Sequence, residues 1–202
     1  MLTVGNDAAS VERMLGSGGL SCPLCGGGLA GWGSARERAV FGPGRKPFRV
    51  RPRRSRCRSC GATHVLLPAR LLLRRADEAA VIGAGLAAAS LGRGYRRAAS
   101  LLGVPEGTVR GWLRRFAGRA EQVREGFTRA VAGLSADPVP PGPCGSPLAD
   151  AVAAVAAAAA AAAGRWAALL AVSPWLVASA VTDGTLLSPA VRFRGFHPSY
   201  PW

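Results

Sequence analysis

Residues 95–114 read YRRAASLLGVPEGTVRGWLR and contain the pattern around which the rest of the chain is organised. Small and apolar residues recur with helical spacing on both sides of Gly103, which predicts two short helices joined by a tight turn. Gly103 suits this turn because glycine adopts a positive φ without steric cost, and Ala99 suits the close approach of the helices. Pro105 fits the first turn of the second helix, where its missing N–H leaves no bond unmade. The pattern is that of a helix-turn-helix.

The predicted second helix has two different faces. Its apolar residues recur at i, i+3, i+4 and i+7 and therefore pack inward: Val109, Trp112, Leu113 and Phe116. The other face is free to enter a DNA major groove: Glu106, Gly107, Arg110, Gly111 and Arg114. We expect Arg110 and Arg114 to reach base edges, with Arg110 on a guanine, because a guanidinium fork matches the O6 and N7 acceptors. Glu106 is placed to accept from a cytosine amine.

The first helix and the turn supply the other predicted DNA contacts of this motif. Arg96 and Arg97 lie on the first helix and Thr108 begins the second, so we expect these three to hold the phosphate backbone. The alternative is an ordinary helical hairpin whose arginines only meet water. Because the glycine, small and apolar positions all fall in register, the pattern favours DNA binding.

The composition supports a polyanionic partner. The 202 residues suffice for one or two small domains, and the net charge is +15, with 25 arginines and a single lysine. A high-GC genome also favours arginine, so the preference for arginine over lysine says little by itself. The net charge is +12 for residues 22–75 and +4 for residues 76–134, but −1 and 0 for the segments before and after them. We therefore expect nucleic acid, rather than a membrane surface, to meet the first two thirds of the chain.

Two C-x2-C pairs lie in the most basic segment, within SCPLCGGGL and RCRSCGATHVLLP. Cys22 with Cys25 and Cys57 with Cys60 are each followed by glycine, and 31 residues separate the two pairs. A two-residue gap forms a knuckle that directs both sulfurs at one ion, which predicts a tetrahedral zinc site with four cysteine ligands. A closed four-cysteine site has no open coordination position, so the zinc is expected to be structural and not catalytic.

Other interpretations of the cysteines are a redox pair or a chance occurrence. His64, four residues after Cys60, is a candidate replacement ligand, but four cysteines suffice, so we expect it to pack or to donate a hydrogen bond. Cys144 has no nearby histidine in the sequence and is interpreted as an incidental thiol. The N-terminus lacks the features of a secretory signal, so we expect a cytoplasmic protein, in which disulfides are rare.

The segments ERAVF and PFRVR lie between the two cysteine pairs. They predict a β-hairpin closed through residues 42–44, where glycine and proline favour a turn. Residues 21–70 are therefore predicted to form a zinc ribbon.

Eight cations crowd one strand of this hairpin and its turn: Arg45, Lys46, Arg49, Arg51, Arg53, Arg54, Arg56 and Arg58. A solvated face that offsets the charge of a zinc tetrathiolate would account for Arg56 and Arg58, but not for all eight. Phosphate contact is the better explanation, and we expect it from Arg51, Arg53 and Arg54.

Residues 76–134 are predicted to be helical throughout, apart from the turns around the motif. A first helix is expected over residues 76–90, and the second helix of the motif is expected to continue to Leu134 as a long helix. Its heptad-spaced residues predict either packing against the C-terminal helix or a homodimer through residues 116–134. These residues are Phe116, Ala120, Val123, Phe127, Ala130 and Leu134.

The remaining segments are assigned from composition. They are a mobile lead-in (1–20) with one helical turn around residues 10–15, a Pro/Gly linker (135–147), a helical module (148–190) and an irregular tail (191–202). Ser146 as N-cap and Pro147 in the first turn predict that the first helix of the module runs to about Ala171, and Ser173 is expected to cap a further short helix. The alanine-rich run of the module has the length of a membrane span. Alanine is only weakly favoured in a bilayer, however, and Asp150 and Arg165 interrupt the window, so a soluble helix is predicted.

The combination of CPLCGGGL, RCRSCGATHVLLP and GVPEGTVRGWLRR resembles an uncharacterised family from high-GC bacteria that joins a four-cysteine zinc ribbon to a helix-turn-helix. It is also similar to the N-terminal DNA-binding part of insertion-sequence transposases. The resemblance spans residues 20–116 and implies DNA binding. Such transposases carry three catalytic acidic residues on an RNase H-like fold, whereas residues 135–202 hold only Asp137, Asp150 and Asp183 and no strand-rich pattern. A complete transposase is therefore not expected.

The sequence thus predicts a mainly α protein with a small β zinc ribbon, in which a helix-turn-helix bundle is followed by C-terminal helices. The expected function is sequence-specific binding of double-stranded DNA. The protein would act as a transcriptional regulator or mobile-element accessory protein, not as an enzyme, with no small-molecule substrate. Two alternatives remain: a protein-interaction adaptor on a nucleoprotein complex, and an inactive remnant of a truncated transposase.

Overall fold

The computed structural model describes residues 1–194, so residues 195–202 of the predicted irregular tail lie outside the described residues, while residues 191–194 form neither helix nor strand. The strands are β1 (Leu2–Val4), β2 (Leu29–Ser34), β3 (Arg38–Phe41), β4 (Pro47–Val50), β5 (Arg53–Cys57) and β6 (Thr63–Pro68). The helices are α1 (Ala8–Ser17), α2 (Ala79–Ser90), α3 (Tyr95–Leu102), α4 (Glu106–Ala117), α5 (Ala120–Leu134), α6 (Pro147–Arg165) and α7 (Pro174–Val181).

The fold is mainly α with a small β region, as the sequence predicts. All the described strands and α1 precede α2. We therefore call residues 1–78 the ribbon half and residues 79–194 the helical half.

The larger sheet of the ribbon half has the strand order β1-β6-β5-β2. β1 runs parallel to β6, and the other neighbouring strands are antiparallel. In the pairing of β2 with β5, Leu29 lies opposite Cys57. The backbone N–H of Leu29 also donates to the carbonyl of Leu20 at 2.9 Å, which closes the loop that holds the first cysteine pair. The sheet therefore brings the two cysteine pairs together across 31 residues of sequence.

The predicted hairpin forms a second, two-stranded sheet from β3 and β4. A short 3-10 turn at Pro43–Arg45 closes it, and Gly44 has a φ of 64° in this turn, a conformation that suits glycine. Val40 is fully buried and packs with Leu67 and Leu71. This apolar contact folds the hairpin back on the segment that leads from the ribbon half to the helical half.

The N-terminal segment differs from its prediction. The predicted helical turn around residues 10–15 lies within α1, but the rest is no mobile lead-in, because β1 adds to the sheet beside β6 and Asp7 caps α1 by accepting from the N–H of Ser10 at 2.8 Å. Val11 and Leu15, one turn apart on α1, are buried in the ribbon core. Elements of three and ten residues are too short for a periodic signal, and tertiary packing supplies their stability.

One apolar core unites α2 to α7. α5 and α6 make the most extensive contact between helices. The inward face of α6 is built from alanines that are fully buried, and small side chains let two helices lie close together. These alanines are Ala151, Ala154, Ala158 and Ala162. The predicted helical module over residues 148–190 is therefore not a separate body, because it shares its core with α3 and α4.

Two helices, α4 and α5, occupy the stretch in which one continuous helix was predicted. Arg119 has φ −130° and ψ 3°, which breaks the helix, and its N–H donates to the carbonyl of Phe116 at 2.9 Å. The heptad pattern spans this break because both sides of it face the same core. Its first four residues are buried in the chain's own core, where α5 packs against α6, which is the first of the two arrangements predicted for this pattern: Phe116, Ala120, Val123 and Phe127.

α6 is long and apolar enough to cross a membrane by length and composition, the one such helix within residues 1–194. It begins as predicted, with Ser146 accepting from the N–H of Ala149 at 3.2 Å and Pro147 in the first turn, but it ends at Arg165 and not near Ala171. Its alanine face is packed inside the helical core. One face of α6 is therefore packed as in a core helix, although only 39% of its apolar window is buried.

The turn after α7 joins the two halves. Ser179 Oγ donates to the carbonyl of Leu71 at 2.9 Å, and Asp183 Oδ1 accepts from the backbone N–H of Thr3 at 3.1 Å. Asp183 is buried, has a φ of 51° and forms an ion pair with Arg194 at 2.6 Å. This C-terminal segment therefore positions β1 and the start of the helical half, a role that sequence patterns did not reveal.

Candidate metal centre and basic surface

Four cysteine sulfurs converge in the ribbon half, and they are the four predicted from the spacing. The Sγ atoms of Cys22, Cys25, Cys57 and Cys60 all lie within 4.8 Å of one another. The Cys22–Cys60 Sγ distance is 3.8 Å and the Cys25–Cys57 Sγ distance is 3.5 Å. A disulfide S–S bond measures about 2.05 Å, so these are free thiols grouped around a common centre.

The two cysteine knuckles have the same local geometry. The N–H of Gly26 donates to the carbonyl of Cys22 at 2.9 Å, and the N–H of Gly61 donates to the carbonyl of Cys57 at 3.1 Å. The φ values of these glycines are 74° and 73°, in the left-handed region that favours glycine. Glycine after each cysteine pair therefore turns the chain back at once and leaves both sulfurs on the same side.

The donor set fits a zinc ion. Four sulfurs placed tetrahedrally at a Zn–S distance of about 2.3 Å lie about 3.8 Å from one another. The Cys22–Cys60 and Cys25–Cys57 distances, 3.8 and 3.5 Å, match this arrangement. The backbone N–H of Leu24 donates to Cys22 Sγ at 3.4 Å. The cluster is therefore a potential metal-binding site compatible with structural zinc.

The electrostatics of the cluster also favour a bound cation. Hydrogen bonds from the backbone N–H groups of Cys60 and Ser59 lower the pKa of Cys57 to about 6. A bond from the N–H of Gly27 lowers the pKa of Cys25, but the neighbouring thiols of Cys57 and Cys60 raise it, with a net result of about 12. Sulfurs packed this closely do not all ionise by themselves, and a divalent cation removes the repulsion between them.

His64 lies beside this centre and is not one of the four grouped residues. Its ring is buried, and Nε2 lies 3.4 Å from Cys22 Sγ. Burial lowers the pKa of His64, which favours the neutral ring. This geometry agrees with the hydrogen-bonding role expected from the sequence, in which the histidine orients a ligand sulfur.

The turn between α3 and α4 has the predicted geometry. Gly103 ends α3 with a φ of 63°, and the N–H of Val104 donates to the carbonyl of Ala99 at 3.1 Å. Ala99 is 2% exposed, so a larger side chain would separate the helices. α4 begins at Glu106 after Pro105, one residue later than predicted. Its apolar face is fixed in the core as predicted, with Leu113 at the edge: Val109, Trp112 and Phe116.

The outward face of α4 carries the predicted base-contacting residues. The side chains of Arg110 and Arg114 are exposed and make no hydrogen bond or ion pair within residues 1–194. Glu106 lies 3.6 Å from Arg96 in an exposed ion pair, so the two residues offset each other's charge. Arg97 is exposed on α3 and has no polar partner in the described chain. Thr108, which is half-buried, lies in the first turn of α4.

The basic residues of the ribbon half do not share one strand. Arg49 lies on β4, whereas Arg53 and Arg54 lie on β5, which belongs to the other sheet. Several are held by neighbours. Arg53 forms an ion pair with Glu12 and donates to the carbonyl of Gly33 at 2.7 Å, so it is not a free phosphate ligand.

Arg45 is held by Asp77 at 2.7 Å and lies over the ring of Phe41, 4.0 Å from its centroid. Burial raises the pKa of Asp77, although the charge of Arg45 opposes this shift. Arg45 also lines a depression with Arg96 and Glu106, which places the turn of the hairpin beside the α3–α4 turn.

Arg51 and Arg53 line a different pocket, beside α1, to which no residue of α3 or α4 contributes. The structure therefore brings one of the eight ribbon cations, Arg45, next to the α3–α4 turn. The three ribbon residues predicted to contact phosphates lie in the loop before β5 and on β5 itself: Arg51, Arg53 and Arg54.

One exposed aromatic residue was not identified by the sequence analysis. Trp32 on β2 is 51% exposed and lies between two glycines, and the guanidinium of Arg56 lies 4.9 Å from its ring centroid. Leu24, in the first knuckle, is 73% exposed. Only the flanking glycines signal the exposure of Trp32, because a tryptophan in a strand is usually assigned to the core.

Residues 22–100 match the model of a domain of unknown function, DUF6431. The matched segment begins at the first cysteine and ends within α3, so it contains the metal centre and α2 but not α4. No curated protein and no solved structure matches the chain.

Proposed function

We propose that this protein binds double-stranded DNA in a sequence-specific manner through α3 and α4, acting as a transcriptional regulator or a mobile-element accessory protein. One observation carries the proposal. α4 is fixed on its inner face by buried Val109, Trp112 and Phe116, while Arg110 and Arg114 on its outer face are exposed and have no partner within the described residues. A helix held in this way presents its guanidinium groups to a major groove at low cost in flexibility.

The roles of the individual residues follow from their positions. Arg110 contacts a guanine and Arg114, one turn later, reaches the next base edge or a phosphate. Arg97 holds the backbone from α3, and Arg96 does so when its exposed pair with Glu106 opens. Thr108 assists from the first turn of α4.

The four cysteines hold a structural zinc ion in this proposal. A tetrathiolate zinc site joins the two knuckles and thereby fixes β2 against β5. All four positions are taken by cysteine, so the ion has no place for a substrate, and no enzymatic activity is proposed. A cytoplasmic location is proposed, since the thiols remain reduced there.

Selection of bound fragments from a random duplex pool tests the function. The zinc-loaded full chain is immobilised and the bound DNA is sequenced after several rounds. The expected result is an enriched short motif. Fragments retained by the Arg110→Ala variant provide the control, because this variant keeps the positive surface of the ribbon and should lose enrichment at one base position. A pool that remains random with the unchanged protein would refute sequence-specific binding.

A protein-interaction adaptor on a nucleoprotein complex is the second candidate. Exposed Leu24 and Trp32 in the ribbon half favour it, because exposed apolar side chains suit a protein partner. In that case the duplex selection yields no motif, although the protein still binds DNA weakly through its net charge of +15.

A further inference from the structure

A cleft of about 580 Å³ lies where the two halves meet, and Arg114 is the one residue of the proposed base-reading face that lines it. Three short segments contribute its walls: residues 73–75 before α2, the end of α4 with the break after it, and residues 187–189. Five arginines line it: Arg74, Arg75, Arg114, Arg115 and Arg119. No acidic residue lines the cleft within the described part of the chain.

The backbone holds several of these arginines in place. Arg74 has a φ of 58°, a left-handed conformation that is uncommon for a residue with a side chain and marks a strained turn. Arg119 occupies the break between α4 and α5, which removes it from a regular helix face. Arg119 would lie on a regular helix face if α4 continued into α5 as the sequence predicts.

The guanidinium groups of the cleft are largely without partners. Nε of Arg75 is buried and has no hydrogen-bond partner in the described chain. Burial lowers the pKa of Arg75, and the positive charge of Arg115 lowers it further, so two like charges face each other here. Arg115 and Arg119 donate only to nearby backbone carbonyls, at 2.9 and 3.2 Å. Arg74 and Arg114 have no polar partner within residues 1–194.

Five unneutralised guanidinium groups define the chemistry of the occupant. Guanidinium is planar and presents paired donors that match phosphate oxygens, and it stays charged at every physiological pH. A volume of about 580 Å³ lies within the roughly 300–1,000 Å³ of small-molecule sites and exceeds what a single small anion needs. Leu73, Leu187 and Pro189 add an apolar portion to the wall.

We propose that this cleft binds two or more adjacent phosphate groups. They come either from consecutive phosphodiesters of DNA or from a free polyphosphate such as that of a nucleotide. The DNA source rests on the proposed function, since the cleft lies at the C-terminal end of α4. Binding of a free polyphosphate does not depend on the proposed function.

The first experiment uses inorganic pyrophosphate as the probe and contains no DNA. Calorimetric titration into the zinc-loaded full chain is expected to show binding, and Arg74→Gln with Arg119→Gln should weaken it by about tenfold or more. Arg36→Gln with Arg93→Gln is the matched control. It removes the same charge from two exposed arginines that lie outside the cleft, and it should bind within about twofold of the unchanged protein. Thermal midpoints and zinc contents without ligand verify that both variants fold.

The second experiment distinguishes the two sources. Binding to a duplex of random sequence is measured over a range of salt concentrations. A DNA source predicts that the cleft variant lowers the salt slope by about 0.9 for each lost phosphate contact, while the control variant leaves the slope unchanged. Pyrophosphate binding that is lost in the cleft variant without any change in the slope assigns the cleft to a free polyphosphate.

Two results would overturn the proposal. One is an unchanged protein that binds no pyrophosphate together with a cleft variant whose salt slope is normal. The other is an equal loss in the cleft and control variants, since the effect would then be one of net charge. Failure of the proposed base recognition leaves the pyrophosphate titration unaffected, so the two failures are distinguishable.

Discussion

The ribbon half and the helical half are held together by different forces. The helical half has one core of buried side chains to which six helices contribute. The ribbon half has two small clusters, and two of the residues in the larger cluster are the metal-site cysteines Cys22 and Cys57. A core of this size rarely supports a fold by itself, so a metal ion is expected to supply the difference.

The two halves also differ in how they would meet DNA. The net charge is +9 for residues 1–78 and +6 for residues 79–202. The ribbon half spreads its cations over two sheets and ties several to acidic neighbours, whereas the helical half presents two unpaired arginines on one fixed helix face. We therefore expect the ribbon half to add affinity without selectivity and the helical half to choose the sequence.

Removal of the metal should have the largest effect on stability, and it should affect the ribbon half and spare the helical half. Cys57→Ser, or a strong chelator, is expected to unfold the ribbon half, because structural zinc contributes about 10–16 kcal/mol of apparent binding energy in small zinc modules. Elemental analysis should find one zinc per chain before the change and none after it. Circular dichroism should retain most of the helical signal.

Cys144→Ser is the control for this experiment, since Cys144 is an exposed thiol outside the cluster. It should keep the zinc and the full circular dichroism spectrum. Protein prepared without chelator that contains no zinc would contradict the metal site and, with it, the contrast between the two halves.

For the helical half, close packing predicts a loss of stability that leaves the metal site intact. A Cβ on Gly83 of α2 would lie 1.9 Å from Cγ of Trp175, so Gly83→Ala must displace a buried ring. We expect this variant to lower the free energy of unfolding by about 3 kcal/mol while the zinc content stays unchanged. Urea unfolding measures the difference.

Gly107→Ala is the matched substitution, because a Cβ at Gly107 in α4 meets nothing within 4 Å. It should raise the free energy of unfolding by up to about 1 kcal/mol through helix propensity alone. Equal stability of the two alanine variants would show that the α2–α7 contact is looser than the structure indicates.

Sequence reasoning succeeded where a feature is set by residues that lie close together in the sequence. The two cysteine pairs with their following glycines were enough to place the four-cysteine cluster, and Gly103 with the apolar positions of α4 was enough to place the α3–α4 turn. Ser146 and Ser173 cap α6 and α7 as their hydroxyls suggest. In each case the cause is local, so a single window of sequence contains it.

The failures involve partners that are distant in sequence. β1 exists because β6, 64 residues later, supplies its hydrogen bonds, and no pattern within residues 1–20 shows that. The break at Arg119 is hidden because the heptad spacing continues across it. Asp183 carries no recognisable signal in the sequence, whereas its carboxylate reaches Thr3 and Arg194.

Base recognition by the helical half should give the next effect in size. Arg110→Ala is expected to cost about 1–3 kcal/mol of binding free energy on the preferred duplex and to relax one base position. Arg97→Ala on α3 should weaken all duplexes alike, because its expected partner is a phosphate. Competition between preferred and scrambled duplexes measures both effects. Should Arg110→Ala reduce affinity equally for the two duplexes, α4 would be a phosphate-binding element instead.

The smallest effect concerns the cations of the ribbon half, where the structure separates residues that the sequence grouped together. Arg51 and Arg54 make no ion pair within residues 1–194, whereas Arg53 is tied to Glu12 and to the carbonyl of Gly33. Replacing Arg51 and Arg54 by Ala should lower the salt slope of DNA binding by about 0.9 for each lost contact, for every duplex sequence. Arg53→Ala should leave the slope unchanged and alter stability by no more than about 1 kcal/mol, as expected for a surface ion pair.

Comparison of the salt slopes of DNA binding among these variants decides whether the ribbon half contacts DNA. Arg51 and Arg53 line a pocket beside α1 that contains no residue of α3 or α4. Arg45, in contrast, lies beside the α3–α4 turn with Arg96. If Arg51→Ala with Arg54→Ala leaves the slope unchanged while Arg97→Ala lowers it, the duplex follows α3 and α4 without touching β5. The ribbon half would then serve to position the helices, and its charge would act only at long range.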